Sequence, residues 1–488
     1  MKIKEEIKKS GTFWLPSSIE PVPGVLSISN EGGIELEVAK SLVNDPASIV
    51  SSFVNLNNVF QVIGHIQEDG FVILDGCQIS TSEFNLNLSQ IQTSQTIWAN
   101  RVFTGFPHIQ DLQNGIPSFN TFKFSIEGID EWLWIRGINV INAIYGYGGD
   151  TTTISTTISS KPPENISFNL TNGMQLKITF EMGGIDPPSP WKVGVTQKAY
   201  FTLVSENAQK LDEFFSIAYK IVDLLCFTIN ETVYLDSMSA TSNAIIQDPG
   251  GGRTYPAPIT IYDPDVFYYS KDQPKIDRTR MLFTFSDIRD EAEGMINRWI
   301  ESYEDYKNAF DLYFLAQLKP QLSLEVKFLT LAQGLEVFHR RRSSDDAPEM
   351  SEVKLKYKEI VQSLIEQYPD EESKKWLDGK LKHLNDVTLG KRIKELINPF
   401  KEILGNSKQR GKLAYKIAFT RNYLTHYDPE SEPEAAKGED LRVLCLKMEL
   451  LFELHFLKLT GFTPEKIQSI ADKCPKLKWK RSANLSGC

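Results

Sequence analysis

Cysteine is scarce: five occur in 488 residues, at Cys77, Cys226, Cys445, Cys474 and Cys488, none in a CxxC pair. That spacing excludes a zinc knuckle and a disulfide framework, and it suits thiols kept reduced in a cytoplasm. Long apolar runs are missing too. VLCLKMELLFELHFLKL is interrupted by Lys447, Glu449, Glu453 and His455 before it reaches the roughly 20 residues of a membrane-spanning helix. It reads as buried helix, and no membrane partner is expected. The opening MKIKEEIKKS leads into a Pro-containing stretch instead of an apolar core, which argues against a secretory signal. There is no GxSxG, no HExxH and no GxxxxGKS or GxxxxGKT, and GGGRT at Gly250 lacks the spacing of a phosphate-cradling loop. Serine hydrolase, zincin and NTPase chemistries are therefore disfavoured, and neither a cofactor nor a metal is expected. Acidic pairs such as Asp263 and Asp265 are expected to shape the YDPD turn instead of cleaving glycosides.

Positive charge is sparse in the front of the chain. Residues 1–270 hold 15 Lys and Arg against 28 Asp and Glu, a net of −13, whereas residues 271–488 hold 38 against 35, a net of +3. An acidic half is a poor binder of phosphate backbone, which is held mainly by cations, so the back half is the better candidate for nucleic acid. The total length exceeds what one hydrophobic core supports, and 41% hydrophobic with 24% charged residues is ordinary globular usage, so two or three folded domains are expected.

Texture changes where charge does. From Gly24 to Tyr269, short alternating runs such as VLSISNEGGIELEVAK, FQVIGHIQEDGFVIL, FNTFKFSIEG and MQLKITFEM predict antiparallel strands, with Gly32-Gly33 and Asp69-Gly70 placed as hairpin turns. One helix interrupts them: NAQKLDEFFSIAYKIVDLLCF spaces Leu211, Phe214, Phe215, Ala218, Ile221 and Leu224 on one face, and is expected to separate two β subdomains. The Gly/Pro cluster DPGGGRTYPAP and the hydrophilic KDQPKIDRTR after Ser270 mark a boundary. Beyond it Leu324, Phe328, Leu331, Leu335 and Phe338, and later Leu441, Leu444, Leu451 and Leu454, recur at helical spacing, predicting at least five helices between Asp287 and Gly461. The expected fold is thus multidomain α+β: a β-rich antiparallel region over 1–270, then an all-α bundle over 271–488.

Within the bundle, the stretch from Lys391 to His426 holds nine Lys and Arg against two Glu, a local net of +7. A solvated Lys-rich surface is the ordinary reading of such a run. This one ends in KLAYKIAFTRNYLTHYDPE, where Leu413, Ile417, Thr420 and Leu424 share a face and Asp428-Pro429 stops the helix. His426 then falls in the last turn, where unpaired carbonyls and the negative helix end favour an imidazolium. Cleaving RNA without metal needs a base for the ribose 2′-hydroxyl, an acid for the departing 5′-oxygen and a cation on the phosphate. Arg421, Asn422 and His426 supply a planar cation, a polar neutral group and a titrating group. Lys408, Arg410, Lys412 and Lys416 are candidate RNA contacts. On one ideal helix Arg421 and His426 differ by about 140° and ~7.5 Å. Convergence needs the last turn to unwind, or a second copy across a two-fold axis.

An Arg, four to six residues, then His, with a polar residue after the Arg, resembles the HEPN ribonuclease signature, and RNYLTH fits it. WIESYEDYKNAFDLYFLAQ, LEVKFLTLAQGLEVFHRR, the RNYLTH helix and a last apolar helix together resemble the HEPN domain of ApeA-type anti-phage proteins, and the β-rich front resembles that family's N-terminal region. The resemblance implies a dimer or higher homo-oligomer in a bacterial cytoplasm, cutting RNA, with tRNA a candidate substrate, to a 2′,3′-cyclic phosphate. Arg421 would stabilise the phosphate and His426 would transfer protons, supported by Asn422 and by Glu336 of QGLEVFHR. It further implies abortive-infection defence with a phage-derived trigger protein. Arg101 and His108 also fit the spacing, but RVFTGFPH carries Gly105 and Pro107 among strands. His339, His383 and His455 are expected to be structural or surface residues. The tail KCPKLKWKR offers Lys476, Lys478, Trp479 and Lys480 to RNA, though a solvated terminus is the plainer expectation. A rival function is a non-catalytic module, dimerising through its helices and binding a protein or glycan through its β half.

Overall fold

A computed structural model of the chain describes every residue except 1–5, 19, 30–32, 43–58, 88–89, 113, 146–152, 184–193, 249, 264–275, 319–321, 346–349, 368–369, 382–386 and 486–488. Gly32, Asp265, His383, Cys488 and the start of KDQPKIDRTR fall outside the described residues. Contacts divide the chain into two compact units, Met1–Glu293 and Gly294–Cys488. No helix among the described residues is long and apolar enough to cross a membrane.

The first unit is built on β1 (Ile7–Trp14), β2 (Val22–Ile28), β3 (Ile34–Val38), β4 (Phe60–Ile66), β5 (Gly70–Asn87), β6 (Gln90–Trp98) and β7 (Arg101–Phe106), all antiparallel to their neighbours. Pairing runs β4-β1-β2-β3-β6, and β6 pairs with β5, which also pairs with β4. The ring closes as a six-stranded barrel. Its inside is the alternate apolar set of each strand, including Phe13, Leu26, Leu36, Val62, Val72, Leu74 and Ile97, all essentially inaccessible. Asp69-Gly70 forms the β4–β5 turn as expected: Gly70 takes φ 74°, which the tight reversal demands. At Gly76 (φ 68°) β5 changes partner, and a Cβ there would lie 2.5 Å from the Asn100 amide nitrogen. Before this point β5 pairs with β7, after it with β6.

From β7 the same sheet continues as an open layer through β17 (Ile259–Tyr262), β14 (Leu235–Thr241), β8 (Phe119–Ile126), β13 (Thr196–Gln209), β12 (Gln175–Gly183) and β11 (Ile166–Asn169). Two-stranded ribbons, β9 (Ile138–Tyr145) with β10 (Thr153–Ser160) and β15 (Ile246–Gln247) with β16 (Tyr255–Pro256), complete the described strands. Short helix α1 (Ile129–Leu133) follows β8, and α2 (Leu211–Ile229) follows β13. Phe214 and Phe215 of α2 pack on Phe122 of β8, tilted at 6.1 Å and edge-on at 5.3 Å, each buried aromatic contributing roughly 1.5–3 kcal/mol. The predicted helix is therefore present, but it does not separate subdomains. It joins β13 to β14, which flank β8 in one layer, because its single apolar stripe is satisfied by that layer's face. Helix α3 (Phe285–Ile288) also belongs to this unit, with Phe285 against Trp132 at 5.5 Å and the Trp132 indole N–H donating to the Phe283 carbonyl at 3.2 Å.

The second unit is helical: α4 (Ala292–Leu318), α5 (Leu324–Asp345), α6 (Met350–Glu366), α7 (Glu371–Leu381), α8 (Leu389–Ile397), α9 (Ser407–His426), α10 (Gly438–Leu459), α11 (Pro464–Lys473) and α12 (Pro475–Ser482). Seven of these lie between Asp287 and Gly461. Helix α10 is the axis, with Val443–Leu446 and Met448–Leu457 all buried. Trp299 and Phe310 of α4 close on Phe456 at 5.7 and 4.5 Å. Of the polar interruptions that excluded a membrane span, Glu449, Glu453 and His455 are buried and paired, and the half-buried Lys447 donates to the Arg481 carbonyl at 2.6 Å. Lys480 of α12 reaches Glu449 (2.9 Å) and Glu453 (2.5 Å), Lys327 reaches Glu449 (2.6 Å), and His455 donates to the Leu396 carbonyl (3.0 Å). Lys480, offered by the sequence as a tail contact to RNA, is 1% exposed. It is an internal counterion, because α12 folds back onto the two carboxylates of α10.

Candidate active site

Helix α9 starts at a capping box, in which Asn406 Oδ1 accepts from Gln409 N and Gln409 Oε1 from Asn406 N, both at 2.9 Å. Leu413, Ala414, Ile417, Thr420 and Leu424 form its buried stripe. Thr420 also ties the following loop down, its hydroxyl accepting from Ala436 N at 3.1 Å. The helix stays regular through His426 and ends at Tyr427, whose left-handed backbone (φ 51°) turns the chain two residues ahead of Pro429. The last turn does not unwind.

Arg421 is half-buried and its side chain is 37% exposed. One guanidinium nitrogen lies 3.5 Å from Glu336 Oε2, reaching across from α5, and another lies 3.4 Å from Asn422 Oδ1. The second oxygen of Glu336 takes Arg340 at 2.8 Å. Glu336 is thus clasped by two arginines, and the polar position in QGLEVFHR meets the motif arginine across 85 residues of sequence. Asn422 and His426 are exposed, and neither the Arg421 guanidinium nor the His426 imidazole is enclosed by apolar packing. A guanidinium held by one edge keeps its other N–H donors free for phosphate oxygens.

The cationic run is less uniform than its charge count implies. Arg410 donates to the carbonyls of Lys401 (3.2 Å) and Gly405, and Lys416 to the Glu434 carbonyl (2.6 Å), so both are engaged with backbone. Lys412 is half-buried, while Lys408 stands exposed. Arg392 is buried between the Val387 carbonyl (2.9 Å) and His339 Nδ1 (3.2 Å). Since arginine only donates, His339 Nδ1 must accept and its Nε2–H must face Glu395 Oε2 at 2.5 Å. This relay was not legible in sequence and is a structural brace between α5 and α8. His455 is likewise structural: burial, with Arg342 nearby, pushes its pKa down to about 3. Arg101 of the alternative motif pairs with buried Asp263 at 2.5 Å and with Asp212 at 3.4 Å, a core tie of the β unit. Among the described residues no three His, Cys, Asp or Glu side chains group as a metal site.

The apolar stripe, the two-helix clasp and the accessible RNYLTH turn all lie in the helical second unit. The description "Apea-like HEPN" matches residues 329–466, and "ApeA N-terminal domain 1" matches residues 8–299, more than half of the chain. The chain belongs to the ApeA family, with its HEPN domain at the C-terminal end. No curated protein and no solved structure matches it.

Proposed function

We propose that the chain is an anti-phage defence endoribonuclease that cleaves RNA without metal at a centre made by Arg421, Asn422 and His426. The 2′-hydroxyl gives its proton to an imidazole and attacks the adjacent phosphorus. The P–O5′ bond breaks, the departing 5′-oxygen takes a proton, and a 2′,3′-cyclic phosphate remains. Arg421 stabilises the charge gathering on the non-bridging oxygens, and Glu336 positions it. The observation that carries the reading is the half-exposed Arg421 guanidinium, held at its edge by Glu336 on the same accessible helix end as His426. Because α9 remains helical through His426, the five-residue offset leaves Arg421 and His426 about 140° apart. A second copy across a two-fold axis supplies the missing convergence, so a homodimer or larger homo-oligomer is the proposed active form.

In this reading Lys408 and Lys412 extend the phosphate contacts, the substrate is RNA with tRNA a candidate, and the β-rich first unit senses infection through a phage-derived trigger or restrains the nuclease in a bacterial cytoplasm. The test compares wild type, Arg421→Ala and His426→Ala on total RNA in EDTA. Cleavage by wild type alone is expected. Equal cleavage by all three removes the proposed centre, and loss of wild-type cleavage on adding EDTA rejects the metal-free route.

A further inference from the structure

The first unit carries an aromatic and cationic cluster that its overall charge does not suggest. Residues 1–293 hold 20 Lys and Arg against 34 Asp and Glu. In the run EWLW, Trp132 is buried, but Trp134 closes α1 in left-handed backbone (φ 53°, ψ 33°), its N–H donating to the Asp130 carbonyl at 2.9 Å. The turn leaves the Trp134 indole 48% exposed. A bulky residue at positive φ is strained and is best sought where its side chain has a use.

Two arginines converge on that ring. The Arg136 guanidinium carbon lies 4.3 Å from the ring centroid and that of Arg278 lies 5.3 Å away. Neither is paired with a carboxylate among the described residues. Among the described residues Arg278 donates to the hydroxyls of Thr284 (3.3 Å) and Ser286 (3.0 Å), and its buried Nε meets no acceptor. The Asp287 carboxylate beside those hydroxyls is taken up by Thr284 N and Oγ1, both at 2.8 Å. A half-exposed indole flanked by an exposed Arg136 and a half-buried Arg278, two cations with no carboxylate partner among the described residues, suits a base against the ring edge with its phosphate on the guanidinium N–H groups.

We propose that Trp134, Arg136 and Arg278 form a binding site in the β-rich unit for the nucleotide unit of a single-stranded nucleic acid. This site is independent of the nuclease centre. Base–aromatic contact of this kind is sequence-tolerant, so the site would report the presence of unpaired strand and not its sequence.

The full chain is titrated into a 5′-fluorescein single-stranded DNA ten-mer, which lacks the 2′-hydroxyl needed for cleavage, and anisotropy is followed. Trp134→Gly suits the positive φ and keeps the turn while removing the ring. Arg136→Ala removes an exposed cation whose described contact is the indole. Each is expected to weaken binding about tenfold or more, and melting curves are expected to show both variants folded. Competition separates the sources. Unlabelled ten-mer displacing the probe far better than AMP at equal base concentration assigns a strand, and equal displacement assigns a free nucleotide. Absence of binding by wild type, or wild-type affinity in both Trp134→Gly and Arg136→Ala, overturns the proposal and leaves the nuclease reading untouched.

Discussion

Replacing Lys480 by methionine should be among the most damaging single changes in the helical unit, although its sequence context is a basic tail. The ammonium is 1% exposed and contacts Glu449 at 2.9 Å and Glu453 at 2.5 Å. At an effective dielectric of 20, an ion pair at about 3 Å is worth roughly 6 kcal/mol before desolvation. Burial opposes the charged forms of Glu449 and Lys480, but their mutual attraction outweighs it: the Glu449 carboxyl is held down at about 2, and the Lys480 ammonium is pushed above its ordinary range. With Lys327 the cluster balances two cations against two carboxylates. Methionine leaves one buried carboxylate uncompensated, at a cost of about 3–5 kcal/mol. Adding Glu453→Gln to Lys480→Met restores the balance and should recover half or more of that loss. Urea titration followed at the helical circular-dichroism band measures both steps. A cost below ~1 kcal/mol for Lys480→Met, or strict additivity of the two changes, would refute the account of a charge-balanced core.

Three further outcomes follow from other contacts. Glu336→Gln removes the clasp on Arg421 and Arg340 and should slow RNA cleavage about tenfold while changing stability by less than ~1 kcal/mol, since partly exposed pairs contribute little; initial rates and melting curves check this. His455 is neutral in the fold with a pKa of about 3 against an ordinary 6.5, so the unfolded chain binds the proton first. Its contribution to stability is complete above pH 6.5 and is lost as pH falls toward 3, at up to about 1.4 kcal/mol per pH unit; urea unfolding at pH 7 and pH 5 should show that slope reduced in His455→Gln. Burial pushes the thiols of Cys77 and Cys445 up to about 12. Ellman's reagent should therefore modify them only on unfolding, and rapid labelling of the native chain at either position would contradict their enclosure.

Local pattern made the strands, the α2 face and the buried stripe of α9 legible, because two-residue and 3.6-residue periodicities are properties of neighbouring residues. Closure of the barrel was not legible. It depends on β3 meeting β6 and on the change of partner at Gly76, which no short window records. At the site, the Arg421 and His426 spacing could be read, and Glu336 could be singled out as a polar position, but its contact with Arg421 spans 85 residues. Charge counting failed in a particular way. Arg410, Lys416, Arg392 and Lys480 sit in basic segments, yet they satisfy carbonyls, an imidazole or buried carboxylates, and a sequence count assigns them all to solvent.

Strand β5 gives its first half to β4 and β7 and its second half to β6, so the closed barrel and the open layer share a wall. No cut between them leaves both intact, because either fragment would carry a row of orphaned amides along the missing wall. The two β substructures should therefore be inherited, exchanged and lost as a single piece, and recombination within residues 70–106 should yield chains that aggregate.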